Sequence, residues 1–312
     1  MSGDGRFVGG LIVPNKPHPL LAPEQNAGWA RLADAMRAAG DWVRASGADL
    51  MVLYSTRWVS IIGHQFQADP EPKWWVVDED FHEYGTLHYH LRMDAAFAER
   101  CVAAARARGL HARGVAYRGF PVDVGSVAAL GLLDPERTVP ATVVSCNAYA
   151  DRAETLVLGK AVADAVRASG RRAVAVAVTA LSDRMHDVWI DPAEDRVHSL
   201  KDDEWNRKVL ELLGEGRLED VSQLAREFSR QANGDSRGKA FWWLAAAMGQ
   251  TNDYAGEVLG YEPIWGTGAA VVRLTPTPQR AGTLEYDEAD PERYLGEREV
   301  LDADAAAARS EP

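Results

Sequence analysis

Short apolar runs alternate along the chain with stretches whose apolar residues recur at helical spacing. Residues 7–14 (FVGGLIVP) form an apolar run that stops at Pro14, which predicts a first strand. Residues 23–47 then carry Trp29, Leu32, Met36, Trp42 and Val43 at roughly helical intervals. Residues 49–55 (DLMVLYS) read as a buried strand, and residues 93–109 as an Ala-rich helix closed by Gly109. Strands are expected at 114–117 and 141–145, a helix at 154–170 ending in glycine, and at 172–179 (RAVAVAVT) the clearest buried strand of the chain. Residues 203–243 look mostly helical, and 269–274 (AAVVRL) close the pattern as a strand.

Strands alternating with long helices imply one α/β domain over residues 6–275, with a central, mainly parallel sheet flanked by helices. No internal repeat is evident. Residues 276–312 form a C-terminal extension, and 302–312 (DADAAAARSEP), small and unpatterned, are expected to be disordered.

At 312 residues the chain can bury a large core without metals or disulfides. Its 46% hydrophobic and 26% charged residues exclude a collagen-like or wholly disordered chain. A net charge of −12 repels phosphate and argues against a dedicated nucleic-acid binder. Cys101 and Cys146 are too few for a disulfide framework and too isolated for a zinc knuckle, so a reducing, cytoplasmic compartment is expected. No run approaches a membrane span, and the first residues lack the basic and apolar segments of a signal peptide.

Nucleotide-binding and hydrolase signatures are absent: there is no P-loop, GxGxxG, GxSxG or HExxH. Gly266-Thr267-Gly268 precedes a strand, not a helix, so it is no phosphate cradle. His88 and His90 flank Tyr89. On a strand, period two puts both rings on one face, as a metal pair or as hydrogen-bonded imidazoles of an edge strand. His64 and His186 are lone histidines, which more commonly pack or cap than ligate. Tryptophans cluster at 58, 74–75 and 242–243, either as an aromatic wall or as core and interface packing.

Four segments in order give these features a frame: VPNKPHP (13–19), STRW (55–58), VDVGSVAALGLLDPERTVPATVVS (122–145), and AVAVAVTALSD (173–183) followed by KAFWWLAAAMG (239–249). Over roughly residues 6–275 the chain resembles the class III extradiol ring-cleavage dioxygenases. In catalytic members of that family two histidines and a glutamate hold non-haem Fe(II) and leave positions for substrate and dioxygen. The resemblance places Asn15, in Pro14-Asn15-Lys16-Pro17-His18, where the first histidine belongs. It places Arg57, in Ser55-Thr56-Arg57-Trp58, at the second ligand. Counting back from Trp243 gives Lys239 for the glutamate. The outer acid/base histidines become Val124, in Asp123-Val124-Gly125, and Asp183, in Leu181-Ser182-Asp183.

Arginine and a protonated lysine offer a metal no lone pair. The resemblance therefore implies a chain that keeps the fold without metal or acid/base residues of its own, like the α-type chains of two-component 2-aminophenol dioxygenases. A β-type partner would carry the Fe(II), in a hetero-oligomer that opens 2-aminophenol- or catechol-like rings with O₂. Trp74 and Trp75 are expected on the partner face. Arg57 and Lys239 are expected in one cleft, balanced by an anion or by Asp123, Asp183 or Asp235. Two rivals stand beside this pseudoenzyme reading. One is an enzyme with a remodelled metal site drawn from His18, His64, His88, His90 and carboxylates such as Asp235. The other is a stand-alone protein whose Arg57 and Lys239 hold an aromatic acid.

Overall fold

The computed structural model describes residues 4–117, 119–277 and 291–294. The expected disorder of 302–312 lies outside these residues, as does most of the extension. Ten strands are described: β1 (Arg6–Val13), β2 (Leu50–Ser60), β3 (His64–Gln67), β4 (Lys73–Val77), β5 (Thr86–His90), β6 (Ala112–Val115), β7 (Ala141–Asn147), β8 (Arg172–Val178), β9 (Tyr254–Ile264) and β10 (Thr267–Pro276). The helices are α1 (His18–Leu21), α2 (Ala27–Ala45), α3 (Ala95–Ala107), α4 (Val124–Leu133), α5 (Arg152–Ser169), α6 (Leu200–Gly214), α7 (Leu218–Ala232) and α8 (Lys239–Ala247).

Eight strands make one sheet in the order β6-β3-β7-β2-β8-β1-β10-β9, and β4 and β5 form a separate hairpin sheet. Its centre, β7-β2-β8-β1, is parallel throughout. Antiparallel pairings occur toward the two sides, β3 with β7, β1 with β10, and β10 with β9. Period two explains why the centre is buried on both faces. On β8, Ala173, Ala175 and Ala177 join one core, while Val174, Val176 and Val178 join the other. Leu50, Val52 and Tyr54 of β2 likewise part from Met51 and Leu53. Helices α3, α5, α6, α7 and α8 cover the alanine face; α2 and α4 cover the valine face with β5. The α5–α8 contact is backbone-close: a Cβ on Gly159 would lie 2.6 Å from the Trp243 carbonyl oxygen.

Local chemistry sets the helix ends. Asn26, Asp94 and Asp151 cap α2, α3 and α5 by accepting from backbone N–H groups of the first turn. Gly170 ends α5 at φ 70°, the left-handed position that glycine tolerates best. The stretch 203–243, expected to be mostly helical, is divided among α6, α7 and α8. Gly216, at φ 76°, allows the first break, where a Cβ would fall 1.8 Å from the Tyr254 carbonyl oxygen. Asn233 at φ 50° opens the second. Among the described residues no helix is long and apolar enough to cross a membrane.

Candidate functional site

Because β1, β2 and β8 run parallel, the segments leaving their carboxyl ends meet at one edge of the sheet, the usual place for a site in such folds. Asn15 follows β1, Thr56 and Arg57 lie near the end of β2, and Thr179 to Asp183 follow β8. Asn15, Thr56, Arg57 and Asp183, together with residues of β4, the 120–124 segment and Asp235, line a cleft of about 570 Å³.

Asp235 ties these strand ends together. Its Oδ2 accepts from Asn15 Nδ2 (2.9 Å), Thr56 Oγ1 (2.6 Å), Thr179 Oγ1 (2.8 Å) and the Ala180 N–H (3.0 Å). Ser236 Oγ donates to Oδ1 at 2.9 Å. Burial pushes the Asp235 carboxyl pKa up and nearby Asp183 adds to this, while the donor hydroxyl of Thr56 and the charge of Lys16 oppose it.

Arg57 is held by two carboxylates: Nη2 lies 3.0 Å from Asp78 Oδ2 and Nη1 3.4 Å from Asp80 Oδ2. The Asp78 side chain is fully buried, and its Oδ1 accepts from the N–H groups of Asp80 and Phe81. Burial works against the guanidinium charge, but Asp78 and Asp80 outweigh it and raise the Arg57 pKa. Lys16, almost wholly buried, bonds Asp183 Oδ1 at 2.7 Å. Asp123 caps α4: its Oδ1 accepts from the Ser126 N–H (2.9 Å) and Ser55 Oγ (2.6 Å).

Of the residues expected from sequence, Asn15, Arg57, Asp123, Val124, Asp183 and Asp235 all line this cleft. Lys239 does not. It opens α8, is buried, and its Nζ donates to the carbonyls of Asn147 (2.5 Å) and Ala148 (2.8 Å) at the end of β7. The expected sharing of the cleft by Arg57 and Lys239 is thus corrected: the β7 carbonyls hold the ammonium elsewhere. Lys16, Asp78, Asp80, Thr56 and Thr179 were not singled out from sequence. The acidic run Asp78-Glu79-Asp80 gave a signal, but such runs usually mark a solvated face.

Among the described residues the histidines offered for a remodelled metal site are not gathered into one group. His18 is fully buried between Phe81, Trp29 and Tyr84, with ring centroids 4.3, 4.6 and 4.8 Å away and neither ring nitrogen hydrogen-bonded. His64 pairs with Glu154 at 3.1 Å. His88 and His90 do share a face of β5, and it is the exposed one. Among the described residues no group of three or more His, Cys, Asp or Glu side chains is placed to hold a metal.

Nor do the three positions that the resemblance assigns as ligands suit Fe(II). Asn15 uses its amide as a donor, Arg57 has no lone pair, and Lys239 is turned onto two carbonyls. Trp242 and Trp243 are core residues and Trp58 is a buried wall of the cleft. Trp74 and Trp75 are each 47% exposed, with rings 6.5 Å apart and nearly parallel.

Residues 16–272 match the family described as "Catalytic LigB subunit of aromatic ring-opening dioxygenase". The chain is 32% identical over 270 residues to a Pseudomonas sp. 2-aminophenol 1,6-dioxygenase alpha subunit, covering 86% of this chain and 99% of that one. It is 29% identical over 287 residues to the beta subunit of a 2-aminophenol 1,6-dioxygenase from Pseudomonas sp., covering 86% and 94%. Among solved structures, the uncharacterized protein JW3007 from Escherichia coli K12 superposes with a TM-score of 0.62 at 15% identity, over 85% of this chain and 99% of that one, a likeness of fold alone.

Proposed function

The chain belongs to the LigB family of aromatic ring-opening dioxygenases, and on that premise we propose that it is a non-catalytic, α-type subunit of a cytoplasmic two-component extradiol dioxygenase. Arg57 carries this reading. A guanidinium bonded to Asp78 and Asp80 stands where the resemblance assigns a ligand, and charge repulsion there disfavours a dication. The partner would be a related β-type chain with Fe(II), which would open 2-aminophenol- or catechol-like rings. In such a complex this chain's work is architectural. Asp235 fixes the strand ends without a metal, and exposed Trp74 and Trp75 offer apolar area for contact.

The aromatic-acid reading is not favoured. Arg57 is already committed to two carboxylates, and Lys239 lies off the cleft wall.

Purified alone and loaded anaerobically with Fe(II), the chain is expected to bind far less than one equivalent and to open neither catechol nor 2-aminophenol. Co-expressed with a β-type chain, it is expected to co-elute as a hetero-oligomer whose iron follows the β chain. Stoichiometric iron with turnover in the isolated chain would end this reading, as would separate elution of the two chains at micromolar concentration.

A further inference from the structure

We propose that the groove at the amino ends of β1 and β8 binds organic acids, a carboxylate carried on an apolar body. The groove lies at the opposite edge of the sheet from the cleft of Asn15, Arg57 and Asp235, so the proposal stands apart from the subunit reading.

Both strands begin with an arginine, Arg6 on β1 and Arg172 on β8, and the two are register partners. Neighbouring strands lie about 4.8 Å apart, so two like charges start from adjacent positions and repel. Among the described residues neither guanidinium has a carboxylate within ion-pairing distance. Nearby Asp49 accepts from the Arg172 backbone N–H, and its salt bridge, at 2.8 Å, is to Arg171. The groove measures about 500 Å³, room for a ligand of one or two rings. Phe7, Val8, Trp42 and Pro276 supply apolar walls, and no acidic side chain is among the described residues that line it. In a chain of net charge −12, whose overall field repels anions, such a groove is a local exception.

The two guanidinium groups are prepared differently. Arg172 is fixed in place: Nε donates to the Gly47 carbonyl (3.1 Å) and Nη2 to the Ser46 carbonyl (2.8 Å), just past the end of α2. These bonds hold its plane and leave Nη1 without an acceptor among the described residues. Arg6 is exposed, and its side chain makes no hydrogen bond or ion pair among the described residues. Trp42 is half-buried and lies against Gly9, where a Cβ would fall 2.4 Å from its Cη2. The glycine thus lets the indole close on the strand as a wall beside the arginines. Arg273 lies over that ring, 5.7 Å from its centroid, and is itself paired with Glu257. A pair of arginines that merely faced water would need neither the anchoring of Arg172 nor the apolar walls. A carboxylate between Arg6 and Arg172 takes charge-assisted hydrogen bonds from both and removes their repulsion, while its apolar body packs on Phe7, Val8 and Trp42.

Three probes separate charge from shape: 3-phenylpropanoate, 2-phenylethylammonium and inorganic phosphate, titrated by calorimetry into the full chain. The phenylpropanoate is expected to saturate one site and to bind about tenfold or more tighter than either of the others. Arg172→Gln should weaken it by about fivefold or more, through loss of the anchored donor. Should that variant fail to fold, Arg6→Gln, at an exposed position with no bond to lose, should weaken it about threefold to fivefold. Equal or tighter binding of the ammonium overturns the proposal. Equal or tighter binding of phosphate overturns it too, because the groove would then read charge without the apolar body. So does binding of none of the three, or an unchanged phenylpropanoate affinity in folded Arg6→Gln, which would put the acid elsewhere on the chain. None of these results bears on iron content or partner association, so the subunit reading stands or falls separately.

Discussion

Replacing Asp235 by alanine should lower the stability of the chain by about 3 kcal/mol, the range for breaking a buried polar network. One carboxylate oxygen collects donors from the ends of β1, β2 and β8. The losses are unequal. Thr56 Oγ1 also reaches the Val178 carbonyl at 3.1 Å, and Thr179 Oγ1 the Ala180 carbonyl at 2.9 Å, so both hydroxyls retain an acceptor. The Ala180 N–H donates to Asp235 and would lose that acceptor. Asp235→Asn should cost less, about 1 kcal/mol, because an amide oxygen can take over Oδ2 and a buried charge is removed. Urea unfolding followed by tryptophan fluorescence gives both values. An Asp235→Ala chain within about 0.5 kcal/mol of the parent would show that the strand ends hold themselves in place.

Stability should also fall on acidification below about pH 6.5, the ordinary histidine pKa, through His18. Burial, helped by the nearby charge of Lys16, drives the folded-state pKa of His18 well below its ordinary value. The folded chain therefore binds fewer protons at this site than the unfolded chain. Its contribution is complete above the unfolded pKa and is lost as pH falls from there toward the folded one. Within that window the loss is about 1.4 kcal/mol per pH unit. Three rings surround the imidazole from two segments, Trp29 of α2 and Phe81 and Tyr84 of the connection after β4, and among the described residues no carboxylate hydrogen-bonds it to stabilise the cation. His18→Phe keeps a flat ring among aromatics and removes two unpartnered nitrogens. It should flatten the difference in unfolding free energy between pH 7.5 and 5.5, both chosen to bracket about pH 6.5. If the parent and the variant show the same slope, His18 is not the titrating group.

The parallel centre of the fold was readable because β8 and the stretch before Arg57 are apolar on both faces, as only a sheet covered on both sides requires. Other elements gave no such signal. Helix α4 is apolar almost all round, and a helix buried on nearly every residue has no hydrophobic period to detect. Strand β9 carries glycine, proline and glutamates with a half-exposed face, so its place in the sheet comes from pairing with β10. Within 203–243, single left-handed residues at Gly216 and Asn233 break a pattern that otherwise reads straight through.

The cleft divides in the same way. Asn15 and Arg57 were assigned through the resemblance, whose motifs follow recognisable strands. Asp183 and Asp235 were named as counter-charges for Arg57 and Lys239, but Asp183 meets Lys16 across 167 positions and Asp235 meets Asn15 across 220. Such pairings follow from the route of the chain, which local pattern does not encode. Lys239 shows the limit of counting from a motif: its helix was located, but its side chain goes to the β7 carbonyls.

The alternation along β8 makes the two faces of the sheet unequal in what random substitution can do. Where Ala173, Ala175 and Ala177 face the α5 and α8 layer, any change other than to glycine adds volume. That layer is already locked backbone to backbone at Gly159, so added atoms have nowhere to go unless two helices shift together. Opposite, Val174, Val176 and Val178 can shrink, each leaving a void whose cost is graded rather than prohibitive. Mutational drift should therefore run freely through the valine side and stall on the alanine side, and a library screened for soluble protein would record that bias directly.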